Sequence, residues 1–193
     1  MKAYGQSRRF GSDKAEALFD GQAMLDHVAE ALRPQVSDLV VAGKQWPGLE
    51  TVADIPKAGI GPLGGLAGAL DHAWRHDFDA VLSSGCDVIG LPADLPALLG
   101  TGPAIVADIP IVGLWPVSVR TTLIDWLADP QNRSVYRFAD HINARRVALD
   151  ASLRNINRPE ALEPVRAVYG GGIEHLAADG QQAAKVHQEG EDI

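Results

Sequence analysis

The chain alternates short apolar, β-rich runs with longer stretches of helical period, and that alternation restricts it to one broad class of fold. The runs lie at 38–41 (DLVV), 50–55 (ETVADI), 80–83 (AVLS), 104–107 (AIVA), 111–115 (IVGLW) and 146–149 (RVAL), each of a length that suits a buried strand. Between and after them, 24–32, 63–74, 92–99, 119–127 and 159–168 carry helical spacing, the last with Pro159 at its first position. Such strands, apolar on both faces and separated by helices, predict an α/β fold: a three-layer, Rossmann-like arrangement whose mostly parallel central sheet has helices on both faces. In sheets of this kind ligands bind beyond the carboxyl ends of the strands.

With 193 residues, 46% of them hydrophobic, the chain has material for one full core. The expected domain covers 1–168. Residues 169–193 contain three consecutive glycines and few groups to bury, and read as a polar, flexible tail. No apolar run approaches the roughly 18–20 residues that span a bilayer, and no signal-peptide core is visible, so a soluble cytoplasmic protein is expected. The single cysteine, Cys86, excludes an intrachain disulfide and suits a reducing compartment. A net charge of −8 argues against general nucleic-acid binding, which needs a basic surface. Basic residues gathered early in an acidic chain point instead to a local anion site.

That cluster is GQSRRFGSDK, from Gly5 to Lys14. Glycines bring backbone N–H groups close to an anion, Ser7 adds a neutral donor, and Arg8, Arg9 and Lys14 add charge. A triphosphate fits this inventory, and so does a solvated basic loop. It is neither a Walker loop nor a dinucleotide fingerprint. The GPLGG block from Gly61 through Pro62 and Leu63 to Gly65 permits close approach of backbone to a ligand, or of helix to sheet. Asp54, upstream of it, suits the donor edge of a guanine base or a loop tie. Asp87, beyond the 80–83 run, is placed either to hold Mg²⁺ or to end a strand. Cys86 reads as a small buried filler. Asn155 and Asn157 bracket one apolar residue, so alternation turns both amides to one side, towards a substrate, unless they serve as helix caps.

In this order the blocks resemble the molybdenum cofactor guanylyltransferases, MobA-like proteins of the nucleotide-diphospho-sugar transferase-type fold. The family's LAGGxSxRxGxDK loop is matched from Ala3 to Lys14, its Asp and GPLAG by Asp54 and 61–65, and its CDxPxLP by Cys86-Asp87 and Leu91-Pro92. Its PxxGLWPV corresponds to 110–117 and its NxNxPExL to 155–162. The resemblance implies transfer of GMP from GTP to the phosphate of molybdopterin with release of pyrophosphate. It implies Arg9, Lys14 and Asp87 as catalytic residues, with Mg²⁺ on Asp87. Nucleotide contacts would come from Ala3, Gly5, Ser7, Arg9, Lys14, Asp54, Gly61, Pro62 and Leu63, and pterin contacts from Asn155 and Asn157. The implied partners are GTP and molybdopterin as substrates and a molybdoenzyme or its chaperone as recipient, with no nucleic acid and no membrane.

The chain departs from the pattern in places. Only Met1, Lys2 and Ala3 precede Tyr4, so the first strand is expected to be truncated, and Lys2 and Tyr4 replace the family's leucine and glycine. Ile89 replaces the proline after the Cys-Asp pair, and the connection between 104–107 and 111–115 is short. The second reading these departures raise is a catalytically impaired homologue that holds pterin or a molybdoenzyme partner; cytidylyl or sugar-phosphate transfer is a third. Trp46, Trp74, Trp115 and Trp126 read as packing residues, His72 and His76 as a surface pair, and Arg145 and Arg146 as a solvated strand start.

Overall fold

The structure is a computed structural model that describes residues 14–149 and 153–155. The expected first strand, the 159–168 helix, the 169–193 tail and the 168/169 boundary lie outside the described residues. The described chain runs β1 (Leu18–Phe19), β2 (Gln22–Ala23), α1 (Met24–Leu32), β3 (Val40–Ala42), β4 (Glu50–Val52), α2 (Pro62–Arg75) and β5 (Ala80–Ser83). It continues β6 (Val88–Ile89), α3 (Leu95–Leu99), β7 (Ala104–Val106), β8 (Gly113–Pro116), α4 (Arg120–Trp126), α5 (Val135–His141), β9 (Arg145–Val147) and β10 (Arg154–Asn155).

The expected α/β architecture, a central sheet with helices on both faces, is present. β3 pairs in parallel with β4, and a four-stranded sheet runs β5-β8-β7-β9 with β7 and β9 parallel. Side-chain alternation divides the core between the two faces. Val41, Ala104 and Val106 join α1 and α3 on one side, while Val40, Val81, Ile105 and Trp115 join α2, α4 and α5 on the other. The helix expected over 92–99 begins only at Leu95, where the Asp94 carbonyl accepts from the N–H groups of Ala97 and Leu98.

β8 runs antiparallel to both its neighbours. The short 107–112 connection dictates this, because a parallel crossover needs a dozen or more residues. Val106 N–H donates to the Val112 carbonyl at 2.8 Å and closes the hairpin. Trp115, fully buried on β8, donates through Nε1 to Ser83 Oγ at 2.8 Å, so it is a packing residue as expected. Arg145 and Arg146 open β9 and are exposed, the solvated strand start expected, and the Arg145 guanidinium also donates to the carbonyls of Leu99 and Thr101, tying β9 to the end of α3. His72 is not a free surface residue, since its ring lies 3.0 Å from Asp38 and 3.5 Å from Glu50.

Helices α2 and α4 are locked by Asp71, a buried carboxylate that accepts from Arg120 of α4 and, at 2.7 Å, from Arg75 of its own helix. Removing it takes the Asp71 counter-charge from Arg120 and leaves the guanidinium over the Trp74 ring at 4.5 Å. Asp71→Ala is therefore expected to lower unfolding free energy by about 1–3 kcal/mol. A urea titration reads this as an earlier midpoint, and an unmoved midpoint would deny the pairing a structural role.

Candidate functional site

Lys14 and Asp87, far apart in sequence, meet in space. Lys14 Nζ lies 2.7 Å from Asp87 Oδ2, a charge-assisted contact between side chains that are only 11% and 16% exposed. Asp87 follows the carboxyl end of β5, the position expected for a ligand-binding carboxylate. Its Oδ1 folds back over Gly85, 2.7 Å from where a Cβ would stand, so a side chain at 85 would push the carboxylate away. Sequence reasoning proposed both residues separately; their direct contact is the structural addition.

Asn155 comes to the same place. β10 pairs antiparallel with β6, placing Asn155 opposite Val88 and Arg154 opposite Ile89, immediately beside Asp87. Asn155 is exposed. The residue that replaces the family's proline, Ile89, is buried and supplies this short ladder.

A second centre lies around Asp54, which is 8% exposed. Its Oδ2 accepts from Gly59 N–H at 3.1 Å, which is the loop tie. Its Oδ1 is buried with no hydrogen-bond partner among the described residues. An unsatisfied buried carboxylate oxygen is costly, and a ligand donor would remove that cost. Gly43, Lys44, Gln45, Thr51, Asp54 and Gly59 line a 590 Å³ pocket here. The two centres are joined through the turn after Lys14: Glu16 accepts from Lys44 Nζ at 2.7 Å, and Lys44 is part of the pocket wall. Sequence reasoning missed Lys44; its only signal was a lone charge just after an apolar run.

Gly61 and Pro62 open α2, with Gly61 at φ 95°, and Leu63 is fully buried. The next turn of the helix shows why small residues are needed. At Gly68 a Cβ would stand 2.0 Å from the Ala53 carbonyl oxygen, so α2 rests directly on the strand end that delivers Asp54. Helix-to-loop packing thus accounts for the glycine at position 68. Ala3, Gly5, Ser7, Arg8, Arg9 and Asn157 lie outside the described residues. Among those described, no cluster of three or more histidine, cysteine or acidic side chains could by itself enclose a metal ion.

Comparison with known proteins gives the family and the fold. The profile of the MobA-like NTP transferase domain matches residues 3–143. The chain belongs to the MobA-like NTP transferase family. The molybdenum cofactor guanylyltransferase of Cereibacter sphaeroides is 34% identical, over 83% of this chain and 90% of that protein. The Sinorhizobium fredii protein of the same description is 32% identical, over 83% and 86%. Among solved structures, the molybdopterin-guanine dinucleotide biosynthesis protein A of Archaeoglobus fulgidus shares the fold at a TM-score of 0.65 and 18% identity, covering 86% of this chain and 95% of that one. A 4-diphosphocytidyl-2C-methyl-D-erythritol synthase shares it at 0.57 and 14% identity, over 80% and 93%.

Proposed function

We propose that this family member is a molybdenum cofactor guanylyltransferase. It transfers GMP from GTP to the phosphate of molybdopterin and releases pyrophosphate, and it works in the cytoplasm ahead of a molybdoenzyme or its chaperone. The observation that carries the reading is the 2.7 Å contact of Lys14 with Asp87, with Asn155 in register beside it. The 32–34% identical relatives, which are molybdenum cofactor guanylyltransferases, support the choice of substrates.

The donor set suits Mg²⁺. One partly buried carboxylate, with no acidic cage around it among the described residues, matches an ion held through one or two carboxylates and substrate phosphates. Asp87 would hold it, and the bound ion would supply a Lewis acid for phosphate charge. A terminal phosphate oxygen of the pterin forms the new bond to the α-phosphorus of GTP while the α–β bridging bond breaks. Pyrophosphate takes the electron pair. No protein nucleophile is needed, so positioning and charge neutralisation carry the rate.

Lys14, held by Asp87, and Arg9 neutralise charge gathering on the leaving pyrophosphate. Ala3, Gly5 and Ser7 bring backbone and hydroxyl donors to the phosphates. Asp54 accepts from the donor edge of guanine, with Gly61, Pro62 and Leu63 shaping the loop and helix start beside it, and Asn155 with Asn157 steadies the pterin. The test is the full chain with GTP labelled at its α-phosphate, molybdopterin and Mg²⁺. Label should move into the pterin dinucleotide with one pyrophosphate per turnover. Hydrolysis to GMP alone, or preference for CTP, would refute the assignment.

Lys14→Ala is expected to lower kcat/KM by on the order of tenfold or more, from loss of a charge-assisted contact of about 1.5–3 kcal/mol. Unchanged turnover would remove the lysine from the mechanism. Asp54→Asn turns an amide donor or a weaker acceptor towards the base. It should raise KM for GTP about tenfold and erode selectivity against ATP while leaving kcat nearly intact. Retained GTP selectivity would place base recognition elsewhere.

A further inference from the structure

Asp54 meets only part of what marks guanine out. One edge of that base carries two donors, N1–H and the 2-amino group, and next to them an acceptor, O6. A carboxylate serves the donors and repels the oxygen, so a site that reads the whole edge needs a donor beside the carboxylate.

The pairing of β3 with β4 supplies one. The strands run parallel with Ala42 opposite Val52, and continuing that register by two residues sets Lys44 against Asp54. Both residues therefore leave the carboxyl ends of neighbouring strands, which in a sheet lie about 4.8 Å apart. Both line the 590 Å³ pocket, and Lys44 is the only lysine or arginine among its described lining residues. Gln45, the other lining side chain with an N–H to offer, is exposed.

Lys44 is also held in place. Its carbonyl accepts from Thr51 Oγ1 at 3.2 Å, and Gly43 N–H donates to the Val52 carbonyl at 3.0 Å, so β4 fixes the backbone here. Its ammonium lies over the Trp46 ring, 5.4 Å from the centroid, and Trp46 Nε1 is anchored on Asp26 at 2.6 Å. Glu16 takes one of the three donors that an ammonium carries. A lysine seated between a carboxylate and an aromatic face, its side chain 22% exposed, is preorganised rather than a loose surface cation.

We propose that Lys44 is a specificity-determining residue whose ammonium donates to O6 of guanine while Asp54 accepts from N1–H and the 2-amino group. The inference rests on the guanylyltransferase reading of the Asp54 pocket and adds a residue to it. Adenine and cytosine each carry an amino group where guanine carries O6, so with ATP or CTP the ammonium faces a donor. Discrimination then has a repulsive element as well as an attractive one.

The test is calorimetric binding to the full chain with Mg²⁺ and without pterin, so that no transfer intervenes. Three nucleotides are compared: GTP; 6-thio-GTP, in which a weakly accepting sulfur replaces O6; and ITP, which lacks only the 2-amino group. The parent protein should bind GTP about tenfold more tightly than 6-thio-GTP. Lys44→Met, which keeps an unbranched stem, should lose about tenfold for GTP and little for 6-thio-GTP, so that their ratio falls to about one. Lys44→Gln, with a neutral donor, should keep part of the ratio. The preference for GTP over ITP belongs to Asp54; it should persist in both lysine variants and vanish in Asp54→Asn.

A lysine that acted only by bracing the fold through Glu16 would, when replaced, weaken all three nucleotides by the same factor, and that result would overturn the proposal. So would equal binding of GTP and 6-thio-GTP by the parent protein, a comparison that needs no variant. Equal binding of GTP and ITP with the 6-thio ratio intact would instead take Asp54 out of base recognition and leave Lys44 on O6.

Discussion

Asp87→Asn is expected to lower kcat/KM for GTP by on the order of 10²- to 10³-fold, about 2.7–4 kcal/mol of transition-state stabilisation. The substitution keeps shape and removes charge. It weakens the proposed hold on Mg²⁺ and takes away the counter-charge that fixes Lys14 at 2.7 Å, so two electropositive groups lose their alignment at once. Stability should change far less, because the pair is partly exposed and such contacts contribute about 1 kcal/mol or less. Raising Mg²⁺ should restore part of the rate in this variant and none of it in Lys14→Ala. Wild-type kinetics at limiting Mg²⁺ would exclude Asp87 as the ligand.

Gly68→Ala should have the largest effect on the fold. Alanine is the better helix former by about 1 kcal/mol, so propensity alone favours the change. Sterics decide the other way: the new Cβ would stand 2.0 Å from the Ala53 carbonyl oxygen and 3.1 Å from its carbon, backbone against backbone, with no flexible side chain to yield. Overpacking of this kind costs about 1–3 kcal/mol and more where nothing relaxes, so a net loss of about 3 kcal/mol is expected. For a domain of this size that corresponds to a fall in Tm of about 6–12 °C. Because the displaced segment leads directly into Asp54, KM for GTP should rise as well. A differential scanning experiment that found Gly68→Ala as stable as the parent would contradict the close packing of α2 on the 53–54 turn.

Much of this architecture is written in local pattern. Runs such as AIV at β7 are apolar enough to predict strands buried on both faces, and Ala104, Ile105 and Val106 do alternate between two helix layers. The direction of β8 depends on something less visible than hydrophobicity, namely the shortness of 107–112. α5 is faint in the sequence because it is short and buries only Val135, Phe138 and Ala139; its clearest signal is Ser134, whose Oγ accepts from Arg137 N–H. The 50–55 run ends as a strand at Val52, since Asp54 leaves the sheet to tie Gly59.

The candidate site was legible as residue types rather than as contacts. Lysine in a glycine-rich loop and aspartate past a strand end each had a chemical reason to be there, yet nothing in the order of residues places Lys14 Nζ on Asp87 Oδ2. Of the two readings of Asp54 the loop tie is present through one oxygen, while the other oxygen has no hydrogen-bond partner among the described residues. Lys44 could not have been singled out, because its importance comes from the fold bringing Glu16 and the Asp54 pocket to either side of it.

The account rests on guanine at Asp54 and a magnesium-bound triphosphate at Lys14 and Asp87 being one ligand. Thermal unfolding of the full chain with GTP, CTP or ATP, each titrated to saturation with Mg²⁺, tests this most directly. A ligand at 100 times its Kd adds about 2.7 kcal/mol to the native state. GTP should stabilise the protein by this order, CTP and ATP by clearly less, and Asp54→Asn should level the three. Equal shifts for all nucleotides in the parent protein, or none for any, would contradict it.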